Sequence, residues 1–199
     1  MTRITAGLFI SLDGVIEAPD QWHFPYYNDE MGAAVDAQLG SADTLLLGRD
    51  TYDSFAGAWP DREAEGGEDA AFAKKIGDAR KIVVSRQQLS FSWRNSEQLD
   101  GELIAAATAL REQPGGDIAM AGSPSVVRAL LAAGLLDELH LFIHPIVVGK
   151  GARLFTDTTT LPLKLLRSQP FTSGVVHSIY TSDDAAPTGS YEEAKQHLR

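Results

Sequence analysis

The chain has 199 residues, 44% hydrophobic and 22% charged, with a formal net charge of −10 and no cysteine. That balance is ordinary for a globular protein, and the length is enough to bury a core without covalent staples. The composition excludes disulfide frameworks, thiolate metal sites and cysteine nucleophiles, and the acidity argues against a general nucleic-acid binder, which needs Lys and Arg to neutralise phosphates.

The opening stretch "MTRITAGLFISLDG" lacks the long apolar core and small-residue cleavage site of a signal peptide. No segment approaches the ~20 apolar residues of a membrane span. A cytoplasmic protein is therefore expected, with one domain over residues 1–183 and a C-terminal tail over 184–199.

Ile4–Leu12 reads as a strand, followed by a polar and aromatic loop through Pro25. Asn28–Leu39 places Met31, Val35 and Leu39 four apart, on one face of a helix. "TLLLG" (Thr44–Gly48) is continuously apolar, as a strand buried on both faces is. "RDTYDSFAGAW" reads as helical and Asp61–Glu68 as an acidic loop. Lys81–Ser85 is a third strand, and Phe91–Glu97 a short fourth.

Glu102–Arg111 is a helix stopped by Pro114-Gly115-Gly116. "DIAMAG" is the next strand, Ser125–Ala133 a helix, and Leu136–Gly149 the longest extended run. Leu163–Ser168 and Val175–Thr181, split by Ser173-Gly174, form a terminal hairpin. In the tail, Ser190 with Glu193 makes a capping box for a short helix. Strand–helix alternation followed by consecutive strands predicts an α/β fold, mostly parallel with an antiparallel edge.

In such sheets ligands bind beyond the carboxyl ends of the strands. The residues there are Ser11-Leu12-Asp13-Gly14, Gly48-Arg49-Asp50-Thr51, Ser85-Arg86 and Ala121-Gly122-Ser123. Helix N-termini bind anions, and Arg supplies a forked donor suited to phosphate. Four such edges with two arginines in an acidic chain favour an anionic nucleotide. There is neither a three-glycine dinucleotide fingerprint nor a Walker sequence. His140 and His144 stand four apart on one strand face, about 13 Å, too far to share a metal. They read as structural or surface histidines, and no metal site is expected.

"SLDGVIEAP", "DTLLLGRDTYDSF", "KIVVSR" and "GGDIAMAGSPSVVRALLAAGLLDELHLFIHPIVVGKGARLF" together resemble the dihydrofolate reductase-like family that includes the reductase domain of the riboflavin-biosynthesis deaminase/reductase. The likeness runs from about Ile4 to Tyr180. It implies a three-layer α/β/α fold around a mostly parallel sheet with an antiparallel C-terminal hairpin, and NADPH across the strand ends. Gly48, Arg49 and Thr51 would approach the cofactor phosphates, Ser85 and Arg86 would face the 2′-phosphate, and Gly122, Ser123 and Val126 would hold the pyrophosphate and nearby ribose. The resemblance also implies a homodimer.

"WHFP" (Trp22–Pro25) resembles the segment before the first helix of dihydrofolate reductases, which carry a carboxylate two residues past the proline. Here that position is Tyr27, a phenol that is neutral at pH 7, which speaks against folate. Asp13 is the candidate polar group near the substrate, with Trp22 and Tyr27 as pocket walls. The expectation is an NADPH-dependent reductase passing a hydride to a small heterocyclic, carbonyl or imine substrate. The alternatives are a flavin-linked reductase and a non-catalytic module that binds a small ligand on the same fold.

Overall fold

The computed structural model describes residues 2–40, 42–156, 160–183, 189–191 and 195. Strands β1 (Ile4–Ser11), β2 (Ala42–Gly48), β3 (Arg80–Val84), β4 (Ser96–Gln98), β5 (Asp117–Ala121), β6 (Glu138–His144), β7 (Leu163–Pro170) and β8 (Val176–Ser182) form one sheet in the order β4-β3-β2-β5-β1-β6-β8-β7. The first six strands in that order are parallel, and β8 and β7 run antiparallel to their neighbours. This is the expected α/β class with its C-terminal antiparallel pair.

Helix α1 (Asp29–Gly40) links β1 to β2, while α2 (Arg49–Ala56), α3 (Trp59–Glu65) and α4 (Ala70–Asp78) link β2 to β3. These connections step outward in one direction. Helices α5 (Leu103–Glu112) and α6 (Pro124–Ala132) belong to the return steps that place β5 beside β1 and β6 on its far side. Right-handed crossovers running in opposite directions put their helices on opposite faces. Accordingly Ile4, Ala6, Leu8 and Ile10 of β1 pack with Val127 and Leu130 of α6. On the other face Leu45 and Leu47 pack with Tyr52 of α2 and Ile76 of α4, and Met31 of α1 packs with Phe142.

Side-chain caps open two of the helices. Asn28 Oδ1 accepts from the Met31 N–H at 3.0 Å at the start of α1. The Glu102 carboxylate accepts from Ile104 and Ala105 at the start of α5. Either contact satisfies N–H groups that a helix start otherwise leaves open.

Several expectations need correction. The acidic stretch expected as a loop is largely helix α3, with Pro60 in its first turn and Gly66 in the left-handed conformation closing it; proline is well placed there because its missing N–H would be unbonded anyway. Helix α4 had no counterpart in the sequence reading. Strand β4 covers only Ser96–Gln98. The extended run expected to reach Gly149 ends at His144, one residue before Pro145. Most of the tail, including Glu193, lies outside the described residues.

One buried charge stands out. Lys81 of β3 is fully buried, and its Nζ donates to the carbonyls of Ile76, Gly77 and Ala79 at 2.9, 2.8 and 2.7 Å. All three ammonium protons are thus spent on the C-terminal end of α4, and Nζ sits 4.3 Å from the centre of the Trp93 ring. Burial lowers its pKa to about 8. The charge therefore persists at neutral pH as a helix cap.

Candidate active site

The parallel strands share one carboxyl edge, which holds Val84, Gly48, Ala121, Ser11 and His144. The chain leaves β1 toward one face and β5 toward the other, so the crevice between their ends is a topological switch point. Two differently built halves flank it.

The first half is a cradle of small residues. Helices α2 and α6 begin directly after β2 and β5, one on each face. Neither has a side-chain cap at its start; in α6 Pro124 has no N–H and Val126 donates to the Ser123 carbonyl at 3.0 Å. Ser123, the residue before α6, joins them. Its Oγ accepts from the Gly48 N–H at 2.6 Å and donates to Thr51 Oγ1 at 2.9 Å. Ser123 sits in the left-handed region, φ 62°, a conformation that non-glycine residues rarely adopt.

Two glycines give this corner its shape. A Cβ on Gly48 would come within 3.0 Å of Ser123 Oγ, so the hydroxyl occupies the space a side chain would need. Gly122 has φ +99°, and a Cβ there would meet Thr51 Oγ1 at 3.3 Å. Val126 is buried beside them, its Cγ2 3.8 Å from that same Gly48 position. The structure therefore brings Gly48, Thr51, Gly122, Ser123 and Val126 together.

Arg49, Ser85 and Arg86 extend the cradle toward β3. Ser85 Oγ donates to the Gln87 carbonyl and accepts from the Gln87 N–H, both at 3.0 Å, which holds 85–87 in a tight turn. Arg49 donates to the Gln87 side-chain oxygen and pairs with Asp53 at 3.5 Å. Arg86 is exposed and makes no ion pair among the described residues. Two guanidinium groups thus stand on one rim, one tethered and one open to a ligand.

The other half is aromatic. His144, fully buried at the end of β6, is ringed by Phe9, Trp22, His23 and Tyr26, with ring centres 5.2–6.0 Å away. His23 stacks on Phe9 at 4.5 Å and lies 4.2 Å from the Phe24 ring, with Tyr27 edge-on at 6.2 Å. Trp22 is buried, its indole N–H donating to the Glu17 carbonyl at 3.0 Å, whereas Phe24 and Tyr27 are more than half exposed. Burial raises the Tyr27 pKa, with Asp69 and Asp29 adding to the effect, so the phenol stays neutral.

His23 and His144 were missed as a pair by the sequence reading. His144 Nδ1 bonds the Phe142 carbonyl at 2.8 Å, but its Nε2 and the Nδ1 of His23 are buried without partners among the described residues. Burial pushes both imidazoles toward neutrality, His23 to about 4. The "WHFP" segment already contained His23; only the fold carries it to His144. His140, by contrast, is satisfied by His177 at 3.2 Å and Glu138 at 3.0 Å.

Asp13 occupies the expected edge but is fully engaged. Oδ1 accepts from Ser11 Oγ at 2.7 Å and Val148 N–H at 3.0 Å, and Oδ2 from Gly149 N–H at 2.9 Å. Arg153 also pairs with Oδ2 at 3.4 Å. The Ser11 bond, with help from the two backbone donors, holds the carboxyl at about 2. At neutral pH it is an ionised clip for the 146–153 loop and has no proton to give.

The eight-stranded sheet, the helices split between its faces and the cradle at the switch point define a dihydrofolate reductase-like α/β protein. Residues 2–177 match the family model of the RibD C-terminal domain. The chain belongs to that family. It is 31% identical over 180 residues to YyaP, an uncharacterized protein of Bacillus subtilis strain 168, covering 89% of this chain and 94% of the relative. Its fold resembles a putative riboflavin biosynthesis protein from Shewanella sp. PV-4 (TM-score 0.71, 19% identity, 92% of this chain and 99% of that one). It also resembles Enterococcus faecalis dihydrofolate reductase, solved with NADP(H) and RAB-propyl (TM-score 0.58, 15% identity, 92% and 97%). Family and fold support a function of reductase type.

Proposed function

We propose that this protein is an NADPH-dependent reductase that passes a hydride to a small heterocyclic, carbonyl or imine substrate bound against the aromatic half of the crevice. The observation that carries the reading is the Gly48–Thr51–Ser123 corner: two uncapped helix starts meet where a Cβ would not fit, beside Arg49 and Arg86. Helix N-termini and guanidinium groups are the standard complement of phosphate.

On this reading Gly48, Thr51, Gly122, Ser123 and Val126 bind the pyrophosphate end, and Arg49, Ser85 and Arg86 bind the 2′-phosphate. When bound, the nicotinamide supplies the hydride. The chain's part is placement: Ser123 fixes the corner, Asp13 holds the 146–153 loop over the end of β1, and the rings of Trp22 and Tyr27 bound the substrate space. The exposed Leu165 and Leu166 on edge strand β7 support assembly into a homodimer. A cytoplasmic location fits a chain without cysteine.

The test is a titration with NADPH and NADH followed by nicotinamide fluorescence, repeated with Arg86→Ala. One charge-assisted bond to the 2′-phosphate contributes ~1.5–3 kcal/mol, so NADPH should bind about ten to a hundredfold tighter than NADH in the native protein. Arg86→Ala should erase most of that preference and leave NADH affinity unchanged. Binding of neither nucleotide overturns the proposal.

A further inference from the structure

Strand β4 is three residues long and lies at the sheet edge, yet its last residue is tied to the rim of the crevice. Register places Leu47, Val83 and Gln98 in one row across β2, β3 and β4. Leu47 and Val83 are fully buried in the core beneath α2 and α4, and Leu89 packs against the same cluster. An apolar side chain would suit the third place in that row. A carboxamide stands there instead.

That carboxamide bonds the segment that follows β3. Gln98 Nε2 donates to the Ser85 carbonyl at 3.2 Å and to the Gln87 carbonyl at 2.9 Å, and Oε1 accepts from the Leu89 N–H at 3.1 Å. Ser85, Gln87 and Leu89 lie outside every helix and strand, so the side chain supplies partners that a ladder would otherwise give. The set needs two donors and an acceptor in one planar group, which among side chains only Asn and Gln provide.

The residue this grip encloses is Arg86. Ser85 and Gln87 are its two neighbours, so one amide nitrogen holds the carbonyls on either side of it. The Ser85 hydroxyl bridges to Gln87 within the same turn, and the Gln87 side chain takes Arg49. The brace itself is fixed: the Leu99 N–H donates to the Val83 carbonyl at 2.9 Å, and the Trp93 N–H to the Tyr52 hydroxyl of α2 at 3.2 Å. Arg86 is exposed, so the backbone of its turn sets where the guanidinium can reach.

We propose that Gln98 is a positioning residue for cofactor choice: it holds the 85–89 segment so that Arg86 stands ready for the 2′-phosphate, and it thereby sets the preference for NADPH over NADH. This rests on the NADPH reading of the cradle. An unbraced turn must be ordered each time the phosphate binds, and ordering one long side chain corresponds to about three- to tenfold in affinity. NADH and 5′-AMP, which lack that phosphate, escape the cost.

The test compares 2′,5′-ADP with 5′-AMP by calorimetry, which needs no turnover, and NADPH with NADH by nicotinamide fluorescence. Gln98→Met keeps the side-chain length and suits the apolar row but offers no donor. It should lower the preference for the 2′-phosphate about three- to tenfold, leave 5′-AMP affinity within about twofold, and speed amide hydrogen exchange at Leu89. Gln98→Glu keeps the acceptor for the Leu89 N–H and loses both donors. It should lower the preference at least as far, its charge adding repulsion, while Leu89 exchange stays slow. In an Arg86→Ala background, Gln98→Met should change the preference by less than about twofold, because the residue it positions is gone.

A preference that Gln98→Met leaves intact, or lowers equally with and without Arg86, overturns the inference and reduces Gln98 to a support for β4. Loss of 5′-AMP affinity in step with 2′,5′-ADP does the same. A native protein that binds 2′,5′-ADP no tighter than 5′-AMP overturns the NADPH reading itself, and the role of Gln98 with it.

Discussion

Substitution of Ser123 separates hydrogen bonding from backbone strain at the corner where α2 meets α6. Ser123→Ala deletes the oxygen that accepts from Gly48 N–H and donates to Thr51 Oγ1. Two hydrogen bonds at ~1 kcal/mol each, plus a share of the penalty for a half-buried N–H left unpaired, come to ~2–3 kcal/mol. For a chain of this size each kcal/mol moves the melting temperature by ~2–4 °C, so a fall of ~4–12 °C is expected.

Ser123→Gly loses the same oxygen but relieves the left-handed backbone at φ 62°, which costs a non-glycine residue ~1–2 kcal/mol. The glycine variant should therefore melt above the alanine variant and near or below the native protein. Urea unfolding followed by circular dichroism, with unchanged slope against denaturant, measures both. An alanine variant as stable as native would show that the hydroxyl bridge contributes nothing. A glycine variant below the alanine one would show that the backbone there is not strained.

Two further predictions concern acid. His23 is held at about 4 in the fold against 6.5 unfolded, so below pH 6.5 the unfolded chain binds the extra proton and stability falls as pH drops toward 4. After allowance for partial screening this amounts to ~2 kcal/mol. His23→Phe, which keeps the stack on Phe9 and removes an unpartnered nitrogen, should leave neutral-pH stability within ~1 kcal/mol and flatten that part of the pH–stability curve. An unchanged slope would mean that His23 titrates normally. Asp13, held at about 2, contributes stability that is present above pH 4 and lost as pH falls through 2. Asp13→Asn should remove that dependence and speed amide hydrogen exchange at Val148 and Gly149; unaltered exchange there would refute its role as a loop clip.

Much of this protein could be read along the chain. The apolar runs around Ile4, Leu45, Ile82, Ile118 and Leu139 are buried strands because short continuous apolar stretches ended by turn residues have few other stable uses. The edge residues Gly48, Arg49, Ser85, Arg86, Gly122 and Ser123 were legible because loops at strand ends in α/β sheets face one side. Helix α3 was not legible: its charges suggest a loop, while a first-turn Pro60 and a closing Gly66 support a helix, and local propensity is too weak to decide between them.

What only tertiary structure decided is which of these residues act together. Ser123 meets Gly48 because β5 inserts between β2 and β1, bringing a helix start from each face to one corner. His23 meets His144, 121 positions later, because β6 lies beside β1 in parallel register. Asp13, a plausible acid in sequence, is committed by the returning 146–153 loop, whose backbone N–H groups only the folded chain brings to its carboxylate. Sequence periodicity specifies which face of an element is buried; the order of strands, set by long-range packing, specifies whose side chains share a crevice.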